Sequence, residues 1–163
     1  MKRAVVAICV LIAAGALQSQ FAQSARVFGT APDFLIAATI AMSLALDPAL
    51  GAIFGFAAGL AHASIVGLSF GGFITSRTLL GFGVGSLRSW FFQENPLVLV
   101  AASLLGTIAC EGVYFLIEPA RSSGAAIAQL PMESVYNAVL AVICYFLIRR
   151  PMERDREPQP GAF

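Results

Sequence analysis

Six polar side chains interrupt otherwise apolar stretches of the chain: Asp33, His62, Arg77, Glu111, Glu133 and Asn137. Residues of these types can exchange protons, ligate a metal, pair charges or hold a polar ligand, and their spacing narrows the choice. His62 has no second His or Cys at ligand spacing, so no metal site is expected from it. Ser64 stands two positions from His62, and residues two apart do not face each other on a helix, so they form no nucleophile–base pair. No glycine-rich phosphate loop with its lysine occurs. Catalytic and cofactor-binding residues are therefore not expected. Charge pairing remains, because an ionisable group among apolar neighbours is costly unless it is paired or hydrated. Arg77 and Glu111 are the expected partners. Asp33, directly after Pro32, is expected to cap a helix with its carboxylate, and His62 to be a hydrogen-bonded interior residue.

The elements that position these residues follow from composition. The chain has 163 residues, 58% of them hydrophobic and 12% charged, with a mean hydropathy of +0.83. Soluble domains average roughly 25% charged residues, and a small soluble fold cannot bury this much apolar surface. A soluble enzyme, a disordered scaffold and a nucleic-acid binder are all excluded; the formal charge of +1 carries no basic footprint. Cys9, Cys110 and Cys144 each lie within an apolar run and read as small apolar fillers. The expected solvent is a lipid bilayer.

A bilayer core of ~30 Å takes about 20 apolar residues in helical form. Six runs are expected to cross: residues 4–21, 33–46, 49–66, 71–87, 96–117 and 131–148, with Pro32, Pro48, Pro96 and Pro131 marking helix starts. The fold class is therefore an all-α membrane protein, a six-transmembrane-helix bundle over residues 1–150. Residues 151–163, rich in proline and mixed charge, are expected to form a short disordered cytoplasmic tail. Lys2 and Arg3 before an apolar stretch imitate a secretory signal, but the first run is expected to be retained as a span. With six crossings, Lys2, Arg3, Arg88, Arg149, Arg150, Arg154 and Arg156 share one side against Arg26 and Arg121 on the other, which places both termini in the cytoplasm. Arg77 then lies about 9 Å below the outer face at 1.5 Å per residue. Asp33, His62, Glu111, Glu133 and Asn137 share that outer half.

Small residues at four-residue spacing let membrane helices approach closely. Gly51, Gly55 and Gly59, continued by Ala63, Gly67 and Gly71, form one such series, and Ala37, Ala41 and Ala45 another. These residues are expected either to pack the bundle internally or to face a partner's transmembrane helix.

Pro32-Asp33-Phe34 opening an apolar run, a proline-marked break, and then Gly55-Phe56-Ala57-Ala58-Gly59 with Gly67 and Gly71 resemble the MreD family of bacterial rod shape-determining membrane proteins. The resemblance covers about residues 1–150. Ala63 stands where members commonly carry an Asp, and Glu111 where they often have an acidic residue. The resemblance implies a non-enzymatic inner-membrane subunit of the cell-elongation machinery that regulates peptidoglycan synthesis. Its implied partners are MreC and, directly or through it, MreB, RodA and a penicillin-binding transpeptidase. It also implies a fold similar to the substrate-binding components of energy-coupling-factor transporters. The alternative function is accordingly a substrate-binding subunit of a vitamin or small-molecule transporter with an outward-facing cavity.

Overall fold

The computed structural model describes residues 2–27, 29–87 and 96–153. Among them are six α-helices: α1 (Lys2–Phe21), α2 (Phe34–Ala45), α3 (Pro48–Val66), α4 (Phe70–Leu87), α5 (Pro96–Ile117) and α6 (Gly124–Glu153). A 3-10 turn at Pro119–Arg121 joins α5 to α6. No strand ladder occurs among the described residues; Val27 and Thr30 form one isolated antiparallel bridge. Arg88, Arg154 and Arg156, and the tail beyond residue 153, lie outside the described residues.

Local signals explain most boundaries. Pro48 opens α3 in the first helical turn, where a missing N–H leaves no bond unmade. Gly67 closes α3 in the left-handed conformation (φ 79°), and its N–H donates to the Ala63 carbonyl. The last helix departs from expectation. It starts at Gly124, seven residues before Pro131, and runs on through Pro151 to Glu153. Ser123 supplies the start: its Oγ accepts from the Ala126 N–H at 3.2 Å and its carbonyl from the Ile127 N–H at 3.0 Å. Pro131 is thus carried within the helix, as membrane helices tolerate, and residues 151–153 are helical rather than part of a tail.

Among the described residues, four helices are long and apolar enough to cross a membrane by themselves: α1, α3, α5 and α6. The other two are shaped by the bundle. α2 has 12 residues, about 18 Å of helix against the ~30 Å of hydrocarbon. It is the axle of the fold, packed against each of the other five helices. Leu35, Ala38, Ala41, Met42 and Leu46 meet Ala14 of α1, Phe54 and Ala58 of α3, and Tyr145 and Ile148 of α6. Ile36, Ala37 and Ile40 meet Leu80 and Val84 of α4, Cys110 of α5 and Ala141 of α6. An element surrounded in this way need not contact lipid along its length, so it can be short. The outward faces of α1, α5 and α6 carry Val5, Ile8, Ile12, Leu105, Val139 and Leu147, all exposed, as lipid-facing side chains are.

α3 and α4 form a hairpin of nearly touching backbones. A Cβ at Gly51 would lie 2.5 Å from the Gly81 carbonyl oxygen, and one at Gly59 2.5 Å from that of Phe73. A Cβ at Gly55 would overlap the Arg77 carbonyl, and one at Gly85 would lie 2.9 Å from Pro48 Cα. The central glycine series therefore faces α4. Gly67 and Gly71, at its far end, have open space where a Cβ would stand. Ala37 and Ala41 are buried within the bundle, and Ala45 packs at its edge.

Candidate functional site

A helix start buried within the protein carries backbone N–H groups that have no intrahelical partner and need one from elsewhere in the chain. At the start of α2 four such groups are satisfied, by three different side chains. The Asp33 N–H donates to Asn137 Oδ1 of α6 at 2.9 Å. The Phe34 N–H donates to Gln18 Oε1 of α1 at 2.8 Å. The Leu35 and Ile36 N–H groups both donate to Asp33 Oδ1 at 2.9 Å. The fifth, Ala37 N–H, reaches the Asp33 carbonyl in the first regular helical bond.

The second carboxylate oxygen of Asp33 holds the charge pair. Arg77 Nη2 of α4 donates to Asp33 Oδ2 at 2.5 Å, and Arg77 is fully buried. His62 Nδ1 of α3 lies 2.9 Å from the same Nη2 and 3.2 Å from the same Oδ2. With Nδ1 unprotonated it accepts from Arg77; with Nδ1 protonated it donates to Asp33. Arg77 Nη1 also donates to Ser76 Oγ at 3.3 Å. Asp33 thus faces a guanidinium and the positive end of a helix dipole together, which offsets the cost of removing its charge from water.

An aromatic stack closes one side. The His62 ring lies 4.3 Å from Phe73, nearly parallel, and Phe73 lies 4.7 Å from Tyr114 of α5. The Arg77 guanidinium carbon sits 4.7 Å from the centre of the Phe73 ring, in cation–π contact. Ala63 is fully buried beside Phe73 and Tyr114. A carboxylate at that position would enter this apolar contact.

The expected Arg77–Glu111 pair is corrected by this geometry: the ion partner of Arg77 is Asp33. Depth alone placed Arg77 and Glu111 at one level, but it could not tell which face of the bundle each occupies, and the start of α2 brings Asp33 to the same level. Glu111 still joins the cluster, since one carboxylate oxygen from each of Asp33, Glu111 and Glu133 lies within 4.8 Å of the others. All six residues singled out from the sequence are thus drawn together around the start of α2. Reasoning from the sequence missed Gln18, Ser76, Phe73 and Tyr114. Gln18 lies within the first expected run, near its polar end Gln18-Ser19-Gln20, where nothing marks it as a partner for α2, and two aromatics inside apolar runs carry no signal at all.

A bundle of apolar helices built around a capped, ion-paired helix start describes a multi-pass membrane protein. Comparison with known families names it further: the family of the rod shape-determining protein MreD matches residues 2–154. The chain belongs to the MreD family, membrane proteins of bacterial cell-shape determination. No curated protein and no solved structure matches it.

Proposed function

We propose that the chain is a non-enzymatic inner-membrane subunit of the cell-elongation complex, with both termini cytoplasmic. In this reading it docks the transmembrane helix of MreC and, directly or through MreC, works with MreB, RodA and a penicillin-binding transpeptidase. The family match over residues 2–154 carries the proposal. The geometry adds support, because the polar cluster is organised around holding α2 in place, with Asp33, Arg77 and His62 engaged with one another.

Among the described residues, a recess between two helices suits such docking. A cleft of ≈ 260 Å³ between α4 and α5 is lined by Leu79, Gly83, Ala102, Leu105, Gly106 and Ala109, among others. Gly83 has nothing within 4 Å of where a Cβ would stand. A helix-interior glycine without an internal neighbour suits close approach by another helix, whereas Gly51, Gly55 and Gly59 already face α4. A likeness to energy-coupling-factor substrate-binding components belongs to the same proposal. The transporter reading has less support, because Arg77, the cation that would hold an acidic ligand, is already paired.

The discriminating experiment is co-purification of MreC with Gly83→Leu and with the wild-type chain from native membranes. Loss of MreC with an unchanged unfolding midpoint supports docking at the cleft; undiminished capture refutes it. Depletion of the chain is expected to give rounded cells, and normal shape on depletion would reject the function itself.

A further inference from the structure

We infer that Asp33, Glu111 and Glu133 form a binding site for a hard divalent cation of the Ca²⁺ or Mg²⁺ class. The site is independent of the docking reading above. Three elements converge on it: the start of α2, the C-terminal part of α5 and the third turn of α6. One carboxylate oxygen from each residue lies within 4.8 Å of the other two, a spacing that fits metal–oxygen distances of about 2.1–2.5 Å.

The charge count asks for such an ion. Asp33 is balanced by Arg77. Among the described residues Glu111 and Glu133 have neither a hydrogen bond nor an ion pair of their own. With all three carboxylates ionised, one guanidinium leaves two negative charges in a bundle otherwise made of apolar helices. One divalent cation neutralises both.

Unpartnered buried groups around the acids point the same way. Asn137 is fully buried, stands one turn from Glu133 on α6 and is hydrogen-bonded to the Asp33 backbone, yet its Nδ2 has no partner. Thr107 is fully buried one turn from Glu111 on α5, and its Oγ1 has no partner either. An ion holding one oxygen of each glutamate leaves the other oxygen free to accept from the Asn137 amide. The waters that complete the shell of such an ion are donors for the Thr107 hydroxyl. Asp33 Oδ1 is filled by two N–H groups. Oδ2 keeps a lone pair for the ion when His62 Nδ1 accepts from Arg77. With that imidazole nitrogen engaged, the ligand set is all oxygen, which favours a hard ion over zinc. Glu133 is the least buried of the three acids.

The test uses the full-length chain in detergent, stripped with EDTA and titrated with CaCl2 or MgCl2 at constant ionic strength. Saturable binding by calorimetry and a rise of several degrees in the unfolding midpoint are expected. Both are expected to weaken by roughly tenfold or more in concentration for Glu133→Gln, which removes one charged ligand. An equal midpoint shift in wild type and variant would overturn the proposal. So would a wild-type midpoint that ignores both cations and rises only on acidification, since protons would then neutralise the acids. Should Glu133→Gln fail to fold, the calorimetric titration of wild type decides alone: the absence of saturable heat with either cation overturns the site.

Discussion

Asp33 divides its two carboxylate oxygens between two tasks, closing the start of α2 with one and neutralising Arg77 with the other. Substitutions can separate them. Asp33→Asn keeps a cap acceptor but strands a buried guanidinium, and breaking a buried pair in this way costs about 3–5 kcal/mol. The double change Asp33→Asn with Arg77→Met removes both charges and is expected to recover much of that loss in chemical unfolding in micelles. Equal stability of the single and double variants would mean that the pair contributes nothing. Gln18→Leu removes one hydrogen bond from the part-buried Phe34 N–H, with an expected cost of about 1 kcal/mol, at the low end for an unmet donor. The same unfolding measurement checks it, and an unchanged midpoint would mean that Gln18 is dispensable to the cap.

At the scale of elements, the α3–α4 hairpin makes the sharpest distinction among glycines. Gly55→Ala places a methyl group into the Arg77 backbone and is expected to destabilise by about 1–3 kcal/mol or more. Gly83→Ala fills open space within a helix and is expected to stabilise by about 0.5–1 kcal/mol. Paired thermal melts decide between this assignment and one in which both glycines behave alike. Several helix limits were legible in the chain because prolines and apolar length set them locally: Pro48 opens α3 as expected. The start of α6 was misread because Pro131 looked like a beginning, while the weaker Ser123 cap was the operative signal. The membership of the polar cluster was legible from depth. Its pairing was not, because a one-dimensional register carries no information about which way around the bundle a side chain points, and so Glu111 was matched with Arg77 in place of Asp33.

For the whole molecule, the proposed six crossings and the charge bias predict that reporters fused at Met1 and Phe163 read out on the same, cytoplasmic side. Opposite read-outs would remove one crossing, with the short α2 the first candidate to be a buried, non-crossing element. The glycine contacts also bear on how such a bundle can relay a signal. With Gly51, Gly55, Gly59, Gly81 and Gly85 setting one main chain against another along most of two helices, α3 and α4 have no room to slide or tilt past each other. They act mechanically as one stiff plate. A shift of α1, α5 or α6 within the bundle would therefore move against α3 and α4 as a unit, not against either helix alone.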